Sequence, residues 1–384
     1  MLLGTLFLAV TGGYLSLSLL GSLESGPASP IAAAALLLLL LSQAWLFLVF
    51  FRSQSDEKLF FEKWMKRFAF YSMGLLSFLF TFSLMRDLLA LPLRAIGQES
   101  VVYGGTASLS ILVFALLGFG TGLWNAKFRL HTPEIEVMVP QLGKTELRIA
   151  HISDLHLGGG PEFSQVRTIL KSLSSSTPHL IVLTGDIIDA QIDEIAQELH
   201  ELSQLRAPLG VYFVLGNHEC YWNGAEAIRA LERCGIQTLL NEGRTLHHEG
   251  LNIFLAGVSD PAFRHFGGPG PVIPIAPLDA HLRILLAHQP QIASKTSELG
   301  YDLQLSGHTH GGQFFPWNLV VNRMYRHPWG LHRIQNLWIY VNQGTGYWGP
   351  PLRLGTRSEL ATLRVVGVSS SDSSPCSRQP CLPP

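Results

Sequence analysis

Cysteine and charge are both scarce in this chain of 384 residues. It has four cysteines, charged residues make up 14% of it, and the net charge is −1. Neither Cys220 nor Cys234 needs a disulfide, because one abuts a polar motif and the other lies in a helix-like run, so a reducing compartment is favoured. No basic face is evident, which argues against nucleic-acid binding. Internal repeats are absent too.

Long apolar runs fill the first third of the chain. Four of them are long enough to cross the hydrocarbon core of a bilayer: Met1–Leu23, Ile31–Phe51, Phe68–Leu93 and Ser108–Trp124. We therefore expect residues 1–126 to form a multi-pass, α-helical membrane region with four transmembrane helices. A cleaved signal peptide is the alternative for the first run, but that run lacks a basic n-region and is long for such a signal.

The distribution of basic residues predicts an orientation for this membrane region. Five of them lie between the second and third runs, namely Arg52, Lys58, Lys63, Lys66 and Arg67. The loop Gly21–Pro30 has no lysine or arginine. Because basic loops stay in the cytosol, four spans would place both termini, and the region after the last span, on the cytosolic side.

Five short polar motifs follow apolar, strand-like runs in the remaining chain. They are Asp154-Leu155-His156, Gly185-Asp186, Gly216-Asn217-His218-Glu219, His288 and Gly307-His308-Thr309-His310. In open α/β sheets, ligand groups collect at the carboxyl ends of parallel strands, so these motifs are expected to converge. They supply aspartate, asparagine and histidine without any thiolate, which suits Mn, Fe or Zn.

The spacing within the motifs predicts how the donors point. In an extended segment, Asp154 and His156 would face the same side, and so would His308 and His310. The motifs hold more donors than one ion needs, whereas two ions roughly 3.5–4 Å apart, bridged by a carboxylate, would use them well. The sequence therefore predicts a dinuclear hydrolytic site.

In this order, the motifs DLH, GD, GNHE, a histidine before Gln-Pro, and GHTHGGQ resemble those of the calcineurin-like metallophosphoesterases, most closely the membrane-anchored branch. The resemblance covers roughly Glu136–Val366. It implies a first metal bound by Asp154, His156, Asp186 and His310. It implies a second metal bound by Asp186, Asn217, His288 and His308, with Asp186 as the bridge. His218 would be the unligated catalytic histidine.

A mechanism follows from two such ions. A metal-bridged hydroxide would attack phosphorus, because the cations lower the pKa of bound water and neutralise charge on the phosphoryl oxygens. His218 directly follows the ligand Asn217 and could donate a proton to the leaving group. Phosphate monoesters, diesters and nucleotide-linked pyrophosphates all fit such a site, so the substrate class stays open.

Other polar residues receive simpler interpretations. Asp189 precedes the helical run Gln191–Arg206 and is interpreted as a helix N-cap rather than a ligand. Arg353 is either a phosphate contact or an ordinary surface arginine. Five histidines outside the motifs are assigned structural or solvent roles: His151, His200, His247, His248 and His281.

Strand-like and helix-like runs alternate through residues 136–366, which predicts a βαβ-based domain. Helices are expected at Phe163–Ser175, Gln191–Arg206, Ala225–Arg233 and Gln291–Leu299. Further strands are expected at Thr238–Leu240, Asn252–Val258, Leu337–Val341 and Leu360–Val366. The resemblance implies a four-layer αββα sandwich. The segments Pro261–Pro277 and Phe314–Leu331 are predicted pocket loops, and the Ser/Pro-rich tail 367–384 is predicted to be disordered.

Two functions remain open. The first is a hydrolase of phosphate esters at a membrane surface. The second is a membrane-anchored metal- or phosphate-binding module without turnover, since donors alone do not prove catalysis. A transporter with an appended domain is disfavoured because the spans lack charges deep inside them; Arg86 and Asp87 lie near the end of the third span. The short tether Asn125–Glu136 would hold the domain near the bilayer and favours a lipid-linked phosphate as substrate.

Overall fold

The computed structural model describes residues 10–20, 29–52, 62–103, 105–159 and 165–367. Much of the predicted span Met1–Leu23 lies outside these residues; within them, 10–20 is helical, and Ser16–Leu20 is a π-helix. The predicted disordered tail lies outside them as well, apart from its first residue.

Three long helices precede the α/β part of the chain: α1 (Ser29–Arg52), α2 (Glu62–Ala95) and α3 (Gly105–Phe128). They contain the second, third and fourth predicted spans. Within the described ranges, two helical segments are long and apolar enough to cross a membrane, Trp64–Ala95 and Gly105–Phe128, while the apolar segment Pro30–Leu46 is shorter. Length and composition alone support these spans, so the four-span region stays a prediction.

Twelve of the fourteen described strands form two mixed, six-stranded sheets. The first sheet has the order β2 (Glu134–Met138), β14 (Ala361–Val366), β3 (Glu146–Ile152), β4 (Leu180–Thr184), β5 (Val211–Val214) and β6 (Gln237–Thr238). The second has the order β11 (Gly330–Ile334), β12 (Leu337–Val341), β10 (Leu303–Ser306), β9 (Leu282–Leu286), β8 (Leu251–Gly257) and β7 (Glu242–His248). The pair β1 (Leu130–His131) and β13 (Ser358–Glu359) stands apart. The neighbours β3, β4 and β5 are parallel, and so are β8, β9, β10 and β12.

The two sheets pack face to face, which explains why their central strands are apolar throughout. Ile149 and Val182 point into the core between the sheets, whereas Ala150 and Ile181 point to the helices on the other face. Those helices are α4 (Val166–Ser176), α5 (Ala196–Leu202) and α7 (Gly224–Arg233), and the short helix α6 (Asn217–Trp222) precedes α7. Helix α8 (Ala293–Glu298) covers the outer face of the second sheet. Both faces of the central strands are therefore buried.

Several elements differ from the sequence prediction. Strands β7 and β11 lie at the edges of the second sheet and were not predicted, because their half-exposed sequences lack an apolar run. Strand β2 begins at Glu134, before the predicted start of the domain. The prediction of a loop at Phe314–Leu331 is wrong in part, since this segment contains the helix α9 (Trp317–Met324).

The junction between the helices and the sandwich is also tighter than predicted. The expected tether Asn125–Glu136 begins inside α3, which continues to Phe128, and β2 follows shortly after. The side chains of Phe314 and Leu352 from the sandwich pack into one apolar cluster with Phe78 of α2 and Ile111 of α3. The indole of Trp317 donates to Ser77 Oγ at 2.9 Å. Helices and sandwich are therefore in direct contact near the carboxyl ends of the strands.

Candidate metal centre

The predicted donors meet at one edge of the sandwich, where five parallel strands end. Asp154 and His156 follow β3, Asp186 follows β4, Asn217 follows β5, His288 follows β9, and His308 and His310 follow β10. All of these side chains except that of the half-buried His308 are buried. The convergence inferred from strand ends is thus present in the structure.

The backbone at these residues is not extended, contrary to the sequence prediction. Strands β3 and β10 end before the donors, at Ile152 and Ser306. Five donors have positive φ: Asp154 (52°), His156 (50°), Asp186 (53°), His308 (73°) and His310 (51°). Such left-handed conformations are strained for residues other than glycine and cluster at functional sites. Tight turns, rather than strand alternation, aim these side chains at one point.

Glycines permit the close approach of the loops. A Cβ on Gly216 would overlap the Asp186 carboxylate, and one on Gly307 would overlap Ser153 Oγ and the Asp154 carboxylate. The glycines of the GNHE and GHTH motifs are therefore required by packing against the neighbouring donor loops.

The first donor group consists of Asp154, His156 and His310, with Asp186 beside it. The Nε2 atoms of the two histidines are 3.0 Å apart, and His310 Nε2 lies 3.4 Å from Asp154 Oδ1. Asp186 Oδ2 lies 3.9 Å from His156 Nε2. Ser153 Oγ donates to Asp154 Oδ2 at 2.6 Å, which leaves Oδ1 facing the histidines.

The second donor group consists of Asp186, Asn217, His288 and His308. His288 Nε2 lies 3.1 Å from Asp186 Oδ2 and 3.2 Å from Asn217 Oδ1. His308 Nδ1 lies 3.1 Å from Asn217 Oδ1 and 3.2 Å from His288 Nε2. The Asp186 carboxylate therefore adjoins both groups.

The chemistry of these atoms fits cations. His288 Nδ1 lies 2.7 Å from the carbonyl oxygen of Thr184 and donates to it, which leaves Nε2 as the atom directed at the site. Burial lowers the pKa of His288, but the carboxylates of Asp186 and Asp154 outweigh burial and raise the pKa well above its ordinary value, so a cation at Nε2 would replace a proton there. Nε2 lies among the oxygen and nitrogen donor atoms of Asp186, Asn217 and His308. Burial and nearby positive groups lower the pKa of His308 to about 3 and hold that of His310 well below its ordinary value. Both imidazoles are then neutral, which is the form that binds metal.

Asp189 is not a helix N-cap, so that interpretation was wrong. Gln191 precedes the short helix Ile192–Ile195, without a side-chain cap. The Asp189 carboxylate is buried, with Oδ2 lying 3.2 Å from His156 Nδ1 and Oδ1 lying 2.9 Å from His218 Nδ1. Trp222 Nε1 donates to Oδ1 at 2.8 Å. The Asp189 carboxylate is hydrogen-bonded to His156 at Nδ1 and forms an ion pair with His218 at Nδ1, so the Nε2 atoms of both rings are left for the site.

His218 lies beside the two donor groups without being part of either. Its Nε2 is 4.0 Å from Asp186 Oδ2, and its backbone N–H donates to Asp186 Oδ1 at 2.8 Å. Burial lowers the pKa of His218, but Asp189 and Asp186 outweigh it and raise the pKa to about 9. The imidazole can therefore hold a proton that faces the site.

Glu219 is a structural residue that received no role from the sequence. Its fully buried carboxylate accepts backbone N–H groups from Asp186 at 3.0 Å, Ile187 at 2.6 Å, Ile188 at 2.9 Å and Gly216 at 2.8 Å. These four bonds join the loop after β4 to the loop after β5. The only signal in the sequence is an acidic residue next to the GNH triplet.

Arg353 is neither a surface arginine nor a phosphate contact in this structure. Its side chain is fully buried, and its guanidinium donates to backbone carbonyl groups of the loops around the site. No face of it is open to a ligand.

Half-exposed aromatic side chains border the site on the side of His218. The His218 ring lies 5.2 Å from Tyr221 and 5.7 Å from Trp348, and Tyr221 lies 6.1 Å from Phe266. About half of the surface of each aromatic residue is exposed: 48% for Tyr221, 52% for Trp348 and 54% for Phe266. Phe266 comes from the predicted pocket loop Pro261–Pro277.

The remaining histidines stay outside both donor groups. His151 is buried between the sheets, and its Nε2 lies 2.7 Å from Thr184 Oγ1. His247 pairs with Asn252, and His281 accepts the backbone N–H of Asn252. His248 Nε2 contacts the carbonyl oxygen of Glu146. His200 lies in α5, on the far side of the first sheet from the second.

Comparison with known proteins gives a consistent result. Residues 147–312 match the family model described as calcineurin-like phosphoesterase. The chain is 31% identical over 326 residues to a transmembrane protein with metallophosphoesterase domain from Danio rerio, with coverage of 78% of this chain and 73% of that protein. It is 36% identical over 259 residues to an uncharacterized metallophosphoesterase from Helicobacter pylori, with coverage of 66% and 68%.

Proposed function

The chain belongs to the calcineurin-like metallophosphoesterases, and from this premise we propose that it is a dinuclear-metal-dependent hydrolase of phosphate esters at a membrane surface. One observation carries the dinuclear part. Asp186 adjoins two separate sets of acceptor atoms, one around His156 and His310 and the other around His288 and His308. A single ion would leave one of these sets of donors without a metal.

Asp154, His156, His310 and Asp186 would hold one ion, and Asp186, Asn217, His288 and His308 would hold the other. Two bound divalent ions, taken as Mn, Fe or Zn, would activate water and neutralise charge on the phosphoryl group. Because Asn217 contributes a neutral oxygen, more positive charge remains for an anionic substrate than a further aspartate would leave.

The residues of the chain have distinct tasks in this reaction. His218 donates a proton from Nε2 to the departing oxygen, while Asp189 holds its Nδ1 and fixes the direction of the ring. The aromatic border of Tyr221, Phe266 and Trp348 lies beside His218 and contacts the organic part of the ester. Arg353 takes no part in binding the phosphate.

The membrane part of the proposal rests on the apolar helices and on α9. Helix α9 exposes Leu319 (58%), Val320 (42%) and Met324 (73%), next to the contact between Trp317 and α2. With α2 and α3 in a bilayer, this apolar face would meet the lipid surface, and the substrate would be a lipid-linked phosphate ester. The catalytic side would be cytosolic, as the basic loop predicts.

The test uses the full-length protein in lipid nanodiscs. We expect two equivalents of metal per chain and metal-dependent hydrolysis of p-nitrophenyl phosphate, bis-p-nitrophenyl phosphate or a phospholipid. The three substrates distinguish monoesterase, diesterase and lipid phosphoesterase activity. Binding of at most one equivalent would reject the dinuclear site. Two equivalents without turnover on any of these substrates would favour a binding module instead.

A further inference from the structure

The guanidinium of Arg353 donates hydrogen bonds to four backbone carbonyl groups. Nη1 donates to the carbonyl oxygens of His310 at 3.1 Å and Gln343 at 2.7 Å. Nη2 donates to those of Gly344 at 3.0 Å and Gly346 at 2.5 Å. A planar fork of donors can hold four acceptors at once, which the single ammonium of a lysine cannot do in this geometry.

Three of these carbonyl groups belong to the loop after β12, and the fourth belongs to His310, a member of the first donor group. The backbone N–H of Gly346 donates to the carbonyl oxygen of Asp154 at 3.0 Å, and that of Thr345 donates to the carbonyl oxygen of Ser153 at 2.7 Å. Arg353 is thereby linked to the backbone at both Asp154 and His310. No such bond runs from it to Asn217, His288 or His308 among the described residues.

The main chain of Arg353 is bonded to helix α3. Its N–H donates to the carbonyl oxygen of Gly122 at 3.0 Å, and its carbonyl oxygen accepts from Asn125 Nδ2 at 3.0 Å. The preceding residue, Leu352, is fully buried against two helix glycines. A Cβ on Gly74 of α2 would come within 2.5 Å of Leu352 Cδ1, and one on Gly122 within 3.1 Å of Leu352 Cδ2.

We propose that Arg353 is a positioning residue through which the docking of helices α2 and α3 sets the affinity of the first metal site. The inference rests on the proposed metal sites and goes beyond them. The apolar helices contribute to metal binding as well as to localisation. The second site, to which Arg353 donates no hydrogen bond within the described residues, should keep its affinity when this docking is disturbed.

The first test measures Mn²⁺ binding to full-length Arg353→Lys by equilibrium dialysis and metal analysis. Lysine keeps the positive charge but lacks the planar set of N–H donors of the guanidinium. We expect one of the two equivalents to bind about 10- to 100-fold more weakly, the scale for residues that orient metal ligands, while the other binds normally. Arg244→Lys is the matched control, because Arg244 is exposed on the edge strand β7 and pairs with Glu242 rather than with a donor loop. Its two equivalents should bind as in the wild type.

Two helix variants test the coupling without a change in the sandwich. Gly74→Leu should displace Leu352 and weaken the binding of the same Mn²⁺ equivalent that Arg353→Lys affects. Asn125→Leu removes a single hydrogen bond and should weaken it by about 2- to 10-fold. With excess Mn²⁺, turnover should recover and KM should stay unchanged, which distinguishes weakened metal binding from damage to substrate binding.

The outcomes separate the two proposals. A wild-type protein that binds no second equivalent would reject the dinuclear function. If the wild type, Arg353→Lys and Gly74→Leu all bound two equivalents of Mn²⁺ with normal affinity, only the role of Arg353 would be rejected. Equal weakening of both equivalents would also reject it, because the role assigned to Arg353 is confined to the first site.

Discussion

Asp189 Oδ1 lies 2.9 Å from His218 Nδ1, inside a buried pocket beside the donor groups. The other oxygen of the same carboxylate lies 3.2 Å from Nδ1 of His156. One carboxylate thus orients a metal-ligand candidate and the candidate proton donor together.

Replacement of Asp189 by asparagine should lower turnover by about 10- to 100-fold, because both imidazoles lose the charged acceptor that orients them. Steady-state kinetics and metal analysis of the full-length protein check this. Asp193→Asn, in the helix that follows Gln191, is the matched control. Unchanged kinetics in Asp189→Asn would contradict the orienting role.

The variant His218→Asn should keep its bound metal and lose turnover. We expect a fall of roughly 10²- to 10⁴-fold in kcat, the usual scale for general acid catalysis. Metal analysis accompanies the kinetics. If metal were lost along with activity, His218 would be a ligand and the division of roles would be wrong.

The variant Asp186→Asn should lose both bound metal and hydrolysis, because its carboxylate adjoins both donor groups. Metal content and turnover are measured on the same preparation. Two retained ions with normal turnover would contradict the bridging role of Asp186.

The variant Glu219→Gln should destabilise the protein. An amide has one acceptor oxygen, so the NH₂ group would face two of the four backbone N–H groups that Glu219 now satisfies. We expect a loss of about 2–5 kcal/mol in the free energy of unfolding. Denaturant unfolding of the metal-free protein measures it. Glu232→Gln, at an exposed position of α7, is the control. An equal loss of stability in both variants would contradict the role of Glu219 in joining the two loops.

The apolar face of α9 should matter only for substrates in a membrane. Leu319→Glu combined with Met324→Glu should lower turnover on a vesicle-borne phospholipid by about tenfold or more, since burial of each side chain contributes roughly 1.5–3 kcal/mol. Turnover on p-nitrophenyl phosphate should not change. Leu278→Glu, on the exposed loop before β9, is the control. Equal losses on both substrates would argue against a lipid-facing helix.

The sequence was informative about the donors because burial and chemistry leave a local signature. An apolar run followed by Asp186 or His288 marks a parallel strand that ends at a polar edge, and this pattern located all seven proposed metal-binding residues. The internal strands β4, β10 and β12 lie in such apolar runs, and β12 has the predicted bounds.

Other features depend on contacts between distant segments. Asp189 and Arg353 have ordinary neighbours in the sequence, and only folding brings Asp189 to His218 or Arg353 to His310. The edge strands β7 and β11 were missed because an edge strand is partly exposed to solvent, so its sequence lacks a continuous apolar run. The left-handed turns at Asp154 and His308 were missed because nothing in the residue type requires them.

Those left-handed turns have a thermodynamic consequence. A non-glycine residue in this conformation costs about 1–2 kcal/mol, and five proposed ligands share it, while a whole domain is stable by only about 5–15 kcal/mol. Mutually facing acceptors add repulsion in the absence of cations. Bound ions would offset both costs, so ligation and folding are coupled. The bound metals would hold the donor loops together. Chelation should therefore make these loops more flexible while the two sheets stay folded.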